Sequence, residues 1–495
     1  MQRCFYAAAV LLLGLVTAQV IATIHVYQSN ADLYYTLLII KGAGYLIVPN
    51  QQIIPRLREF GPALFGGLFF TLSTGAGLSV LSLSAAWAWH RLFRQNKPLL
   101  ILFTVLWIVS LLLVNLRGLC PLVSLYFLLI PPVVFLFTLR WLPKQREERR
   151  WLNRLIIFIP FFLLTIAWAF QMDGRLFPDL RDHLLLSNHT GTKINDFYYD
   201  YTLYPAEIFK PLHQKLLKTA NLKDVQKKPV ARTLERALLS HDYLNVGAEG
   251  VVDLRIKGRD HELTLEHRGR KVLRTTLQEF LSSSASVLKE FSGKCDRYPF
   301  FRHFTFYSLL IGLPVMLYVF LYAVLYRISC FLLEIRISMV LASVLCFFVG
   351  MTLLVFFERQ RGIEVELKDL AEALESTNWH KRVAALRTIE QQRFEIGDFS
   401  AYQELLNSPY ISERYWLART LGVSRRPETY KDLLGFLEDS HPNVVSMAFY
   451  ALGRRGDARA VQEILKAVET SDHWYNQWHA YRALRTLGWK QKRSE

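Results

Sequence analysis

Charged side chains are absent from seven long apolar stretches of this 495-residue sequence. Each stretch is close to the roughly 20 residues that an α-helix needs to cross a bilayer. A chain that is 52% hydrophobic is also too apolar for an ordinary soluble protein. We therefore predict a mainly α-helical, polytopic membrane protein with about seven spans. The predicted spans are residues 5–24, 64–89, 99–116, 121–139 and 155–170, followed by 304–325 and 337–357.

Ionisable groups inside the spans would be expected of an ion-coupled transporter, and their absence disfavours that class. Cysteine is scarce as well: four of the five cysteines lie in or beside spans, and Cys295 stands alone in the long segment between the fifth and sixth spans. No disulfide can form within either soluble part, and no CxxC pair suggests zinc. No P-loop, GxSxG, GxGxxG or kinase signature occurs. These absences favour a protein that is not an enzyme and holds no cofactor or metal ion.

Basic residues, by contrast, are abundant, and their distribution predicts the topology. The formal net charge is +17, and the first 171 residues hold 14 basic and 4 acidic side chains, mostly in short loops between spans. Loops such as Arg91 to Lys97 and Arg140 to Arg154 face the cytoplasm under the positive-inside rule, which makes a nucleic-acid partner a poor explanation. We predict a multi-pass protein of a bacterial inner membrane, with residues 172–303 and 358–495 outside the cytoplasm.

Two apolar segments have irregular composition. The segment from Leu33 to Val48 contains Lys41 and Gly44 and is short for a span, so we predict an interfacial or re-entrant position. The second span is rich in glycine and serine, with small residues four apart that let helix backbones approach closely. We therefore predict that the second span is central to the helix bundle.

The last 130 residues or so repeat a helical-hairpin pattern. Leu421-Gly422, Leu452-Gly453 and Leu487-Gly488 occupy one place in this pattern, and Ile389 occupies the same place in a first copy. The intervals are 32, 31 and 35 residues. A period in this range indicates stacked helix pairs, each too small to bury a face alone. The predicted A helices are 365–375, 401–406, 431–437 and 460–468, and the B helices are 379–390, 412–421, 443–452 and 474–487.

This pattern resembles the short HEAT-like repeats also found in phycobiliprotein lyases. The arginine that is usual in the B helix is present at Arg382 and Arg414, whereas Val444 and Gln477 replace it in the later copies. That departure removes the basis for inferring a lyase. The resemblance implies an α-solenoid of four helical hairpins at residues 358–495, with a surface that binds another molecule.

Residues 172–303 form the other soluble part, for which we predict a small extracytoplasmic α+β domain. Helices are predicted at 205–219, 229–239 and 276–291, and three or four short strands at 247–273, where apolar and charged residues alternate.

Carboxylates and imidazoles are concentrated at the start of this domain, where they are weak candidates for a catalytic site. Such groups can bind a divalent metal or share acid–base chemistry, but their spacing matches no ligand signature. The alternative is a polar loop at the membrane surface. The candidates are Asp182, His183, His189, Asp196, Asp200 and Glu207.

Five large aromatic rings are concentrated in the last repeat, more than one hairpin needs to fill its interior. Some of them are expected at the surface, where they would contact a partner, the first soluble domain or the membrane. The predicted partner-binding residues are Trp474, Tyr475, Trp478, Tyr481 and Trp489.

The sequence therefore predicts an integral membrane scaffold or assembly protein, with the lipid bilayer and a protein as its partners. The alternative is a membrane enzyme, or a lipid or solute transporter, with a site between the spans and residues 182–207.

Overall fold

The computed structural model describes residues 5–142, 158–202, 205, 209–247, 251–259 and 262–493. Within these residues, six helices are long and apolar enough to cross a membrane. They cover six of the seven predicted spans. The remaining predicted span, the fifth along the chain at 155–170, is described only from Phe158 onward and contains the short helix Ile159–Ala169. The six long helices are Tyr6–Gly42, Phe60–Arg91, Lys97–Asn115, Pro121–Trp141, Pro299–Ser329 and Ile335–Arg361.

The first of these helices is longer than predicted, with 37 residues. Residues 33–42 continue this helix without a break, so the re-entrant alternative predicted from Leu33 is wrong for these residues, whereas an interfacial position stays a prediction. The last turns of the helix bury Leu37 and Ile40 against Leu244 of the sheet domain. This part of the helix is therefore apolar because it packs on protein. The helix ends where Gly44 adopts a positive φ of 81°.

The glycine-rich second span is the most buried of the six, with 61% of its apolar window inside the protein. This confirms its predicted central position. A Cβ at Gly75 would lie 2.5 Å from the Ala18 Cβ, and one at Gly77 would lie 2.6 Å from the Ser308 Cβ. Small residues are therefore required where this helix crosses the helices Tyr6–Gly42 and Pro299–Ser329.

A five-stranded sheet forms the core of the first soluble domain. The strands are β1 (Lys218–Asn221), β2 (Tyr243–Asn245), β3 (Leu254–Arg259), β4 (Glu262–His267) and β5 (Arg270–Thr276). Their order in the sheet is β2-β1-β3-β4-β5. Strand β1 pairs in parallel with β2 and β3, whereas β3, β4 and β5 are antiparallel neighbours. The helices Lys228–Leu239, Leu277–Ser282 and Ser284–Cys295 pack on the sheet.

Two helix predictions for this domain are wrong in part, and two strands were not predicted. The helix predicted at 205–219 does not extend over residues 209–219, where a short 3-10 turn at Leu212–Gln214 leads into β1. Strands β1 and β2 were not predicted, because three or four residues are too few to show an alternating pattern. The helix predicted at 276–291 is two helices, broken at Ser283.

Four pairs of helices follow the last apolar helix, at the predicted places. The A helices are Leu370–Glu375, Tyr402–Leu406, Pro427–Gly435 and Ala460–Thr470, and the B helices are Trp379–Gln392, Ile411–Leu421, Pro442–Arg455 and Trp474–Thr486.

The register of the repeats differs from the predicted one in the later copies. The B helices have N-caps at Asn378, Tyr410, His441 and His473. If positions are counted from these N-caps, the residue of the last copy that corresponds to Leu452 is the buried Leu484. The interval between the last two copies is therefore 32 residues. By the same count, the residue of the third copy that corresponds to Arg414 is Val445, and not Val444 as predicted. Leu487-Gly488 was misleading because it follows the end of the last helix.

Candidate functional site

The predicted catalytic segment lies along the B helices of the four repeats. It consists of two short helical pieces, Leu176–Leu185 and His189–Thr202, each ending in a π-helical turn. We call residues 176–202 the docking segment, because they follow the repeats in order from the first to the last.

Asp182 holds the first part of this segment against the first two repeats. Its carboxylate accepts hydrogen bonds from Arg387 (2.7 Å), from the Trp416 indole N–H (2.7 Å) and from Arg181 (2.8 Å). Its backbone carbonyl accepts a hydrogen bond from the Ser412 hydroxyl. Burial alone would raise the pKa of Asp182, but the two guanidinium groups hold it below its ordinary value. Asp182 is therefore a buried anion that stabilises the contact between the docking segment and the first two repeats.

His183 makes the neighbouring contact with the first repeat. Its Nδ1 lies 3.0 Å from the Nδ1 of His380, so at most one of the two nitrogens carries a proton. Burial lowers the pKa of His183, and burial together with His183 lowers the pKa of His380 to about 4. Both rings are therefore neutral at pH 7.

The second part of the docking segment reaches the third and fourth repeats. Asp196 Oδ1 lies 3.2 Å from Nε2 of His441, and Asp200 Oδ1 lies 3.3 Å from Nε2 of His473. These two histidines are the N-caps of their B helices. Between them, Tyr199 packs on Tyr475 with ring centroids 4.6 Å apart.

Four of the six catalytic candidates are thus distributed over different repeats. Asp182 and His183 contact the first two, Asp196 the third and Asp200 the fourth. His189 is exposed at the start of its helix, and Glu207 lies outside the described residues. Over the described part of the chain, no three His, Cys, Asp or Glu side chains are placed to hold a metal ion.

The five predicted partner residues of the last repeat face the chain's own domains. Trp474 is buried, and Tyr475 meets the docking segment. The Tyr481 hydroxyl donates to Asp242 of the sheet domain (2.6 Å), and Trp489 packs edge-on against Tyr481. Trp478 lies between the cationic groups of Lys210 and Arg482, 5.1 Å and 4.6 Å from its ring centroid. Whether any of them also binds a partner stays a prediction.

A contact that sequence reasoning missed joins the N-terminal part of the chain to the same repeat. The Asn50 side-chain amide lies within hydrogen-bond distance of three carbonyls, those of Val468, Glu469 and Ser471. Gln491 exchanges two hydrogen bonds with the backbone of Leu46. The last repeat is therefore held by the sheet domain, the docking segment and the loop after the first helix.

Residues 399–485 match the family of HEAT repeats. The predicted resemblance is confirmed for this part of the chain. No curated protein and no solved structure matches the chain.

Part of the HEAT B-helix surface remains uncovered by the docking segment. The docking segment contacts the residues two positions after each N-cap, namely His380, Ser412, Asn443 and Tyr475. Nine positions after each N-cap, on the same helix face, lie Arg387, Arg419, Tyr450 and Arg482. Asp179 and Asp182 cover Arg387, but Tyr450 is 39% exposed and Arg482 is exposed. We call Arg419, Tyr450 and Arg482 the open strip.

Proposed function

We propose that this protein is an integral membrane scaffold or assembly protein that binds a protein partner through its HEAT repeats. HEAT repeats generally form surfaces that hold other proteins, and six apolar helices of sufficient length allow membrane anchoring. The docking segment and the sheet domain fix the repeats against the helix bundle. The repeats would then present the partner at a constant distance from the membrane.

The open strip is the observation that carries this proposal. Arginine and tyrosine are enriched among the residues that dominate protein interfaces. The Arg419 guanidinium lies over the Tyr450 ring, 5.4 Å from its centroid, which presents the ring in one orientation. Arg482 is exposed and forms no ion pair within the described residues, so we infer that the partner contributes an acidic group opposite it, whereas Arg419 is already paired with Glu390.

Crosslinking tests this assignment. A photoreactive residue at position 450 should form an adduct with a protein partner in membranes that contain the full chain. Tyr410 is the matched control, since it has the same exposed fraction of 39% but is the N-cap of the second B helix, whereas Tyr450 lies nine positions after the N-cap of the third. A set of adducts that is identical at positions 450 and 410, or none at 450, would contradict the proposal.

Truncating Tyr450 gives a second, quantitative test. Tyr450→Ala should weaken partner capture by roughly thirtyfold if the ring is an interface hot spot. Tyr410→Ala should leave capture unchanged. Equal capture by both variants would mean that the partner binds another surface.

We further propose that this protein spans a bacterial inner membrane, with its sheet domain and HEAT repeats outside the cytoplasm. Their direct contacts support a common side for the two parts, and the basic loops at the other ends of the apolar helices support a cytoplasmic position for those loops. A reporter that is active only in the cytoplasm should be inactive when fused after Glu495 and active when fused after Arg94. Activity after Glu495 would refute the orientation.

A further inference from the structure

A cleft of about 780 Å³ lies between the sheet domain and the last HEAT repeat. Its described lining is strongly cationic, and Asp242 is the one carboxylate among the described residues that line it. The cationic lining residues are Lys210, Lys215, Lys218, Lys289, Arg482 and Arg485.

Asp242 is already engaged and neutralises only one of these cations. Its carboxylate lies 3.0 Å from the Arg485 Nε and accepts the Tyr481 hydroxyl. Arg485 also donates to the carbonyls of Leu239 and Ser240, so its role is to join the two domains. Within the described chain, Lys215, Lys289 and Arg482 form no ion pair. The cleft thus retains an excess of positive charge.

Lys218 and two imidazoles lie among these cations. Burial lowers the pKa of Lys218 to about 8, although Asp242 and Asp253 favour its charged form; its ammonium group donates to the Lys215 carbonyl and lies over the Tyr243 ring. Burial lowers the pKa of His213, and Lys289 and Lys218 lower it further. Burial and then Lys218 do the same for His241. Both imidazoles are therefore neutral at pH 7, and lysine and arginine supply the positive charge.

The cleft is close to the ends of the apolar helices. Lys210 follows Phe209, whose ring packs on Phe70 and Phe301 with centroids 5.0 Å and 5.3 Å away. Phe70 and Phe301 belong to the helices Phe60–Arg91 and Pro299–Ser329. A molecule in the cleft would therefore be near the level of lipid headgroups if these helices span a membrane.

We propose that this cleft binds a phosphate-bearing anion. Several convergent ammonium and guanidinium groups match the charge and the acceptor oxygens of phosphate. The volume lies within the range of about 300–1,000 Å³ typical of small-ligand sites. The phosphate would belong to a lipid headgroup or to a soluble phosphorylated compound. This site is separate from the open strip except at Arg482, so it does not depend on the scaffold proposal.

Direct binding to the purified full chain in a neutral detergent tests the site. Equilibrium dialysis with inorganic pyrophosphate measures the soluble ligand. Native mass spectrometry with added phosphatidylglycerol, compared with phosphatidylcholine, measures the lipid. The variant is Lys215→Glu/Lys289→Glu, and the control is Lys431→Glu/Lys466→Glu, which changes the net charge equally on exposed A-helix residues outside the cleft. Lys215→Gln/Lys289→Gln replaces the first variant if that one fails to fold.

We expect one of the two ligands to bind, and the cleft variant to weaken its binding by roughly tenfold or more. Pyrophosphate binding would assign a soluble ligand, and selective retention of phosphatidylglycerol would assign a lipid headgroup. The absence of binding in both assays would overturn the proposal. Equal weakening by the control pair would overturn it as well, because it would show attraction by net charge alone.

Discussion

At Asp182, one carboxylate meets two guanidinium groups and an indole N–H in a buried position. Arg181 and Arg387 are only 14% and 18% exposed, so neither can regain full hydration if the carboxylate is removed. Breaking a buried ion pair on one side typically costs about 3–5 kcal/mol. Asp182→Ala should therefore destabilise the docked repeats by about that amount, measured by thermal unfolding of the full chain in detergent.

Asp200 is the appropriate control for this measurement, because its side chain is 49% exposed and its partner is a single histidine. Asp200→Ala should cost less than about 1 kcal/mol, as is usual for an exposed pair. Similar losses for both variants would show that the docking segment does not depend on the buried carboxylate.

The paired histidines predict a pH dependence. The pKa values of His183 and His380 lie below the ordinary value, so the unfolded chain binds more protons than the folded one below about pH 6.5. Their contribution to stability is present above that pH and is lost as the pH falls toward 4, the pKa of His380. The melting temperature should decrease over this window, and His380→Asn should make the decrease smaller. An unchanged pH profile in the variant would refute the assignment.

At the scale of elements, the spacing between neighbouring B helices depends on glycine. A Cβ at Gly422 would lie 2.9 Å from the Cα of Ala451, and one at Gly453 would lie 3.0 Å from the Cα of Ala483. Both contacts are with backbone atoms, so a side chain cannot be accommodated by a rotamer change. Of the three Leu-Gly pairs seen in the sequence, Leu421-Gly422 and Leu452-Gly453 therefore mark close approaches between successive repeats, whereas Leu487-Gly488 does not.

Gly422→Ala should destabilise the repeats by about 1–3 kcal/mol through overpacking. Gly435 offers the matched control, because no atom lies within 4 Å of a Cβ added there. Gly435→Ala should be neutral or slightly stabilising. Urea unfolding of both variants measures the difference, and equal midpoints would contradict the close approach.

At the scale of the whole molecule, Asn50 ties the loop after the first helix to the last repeat. Asn50→Ala removes the side-chain donor to the carbonyls of Val468 and Glu469 and leaves the Ser471 carbonyl with Gln477 alone, at a cost of about 1–3 kcal/mol. Hydrogen exchange should then become faster in residues 460–491 and remain unchanged in 402–421. Gln51 is exposed, so Gln51→Ala should leave both regions as they are. Uniform exchange across the repeats in Asn50→Ala would refute this anchoring role.

Local patterns determined much of this architecture. The six long apolar helices, the helix Lys228–Leu239 and the eight repeat helices have a length and periodicity that are visible in the sequence, because each buries one continuous surface. The close packing of the second span was predictable as well, because the spacing of its small residues is visible in the sequence. The two three- and four-residue strands were not, since their pairing partners lie far along the chain and supply the stability that their own residues lack.

The functions of particular residues depended on tertiary structure. Asp182, His183, Asp196 and Asp200 looked like catalytic candidates because acids and imidazoles near one another in sequence suggest shared chemistry. Their partners are more than 190 residues away, on the HEAT repeats, and no local pattern encodes such a pairing. By itself, the sequence determined the apolar helices and the repeats, which depend on local periodicity. Only the tertiary structure decided that the docking segment covers one part of the B-helix face, and that the open strip and the cationic cleft remain accessible.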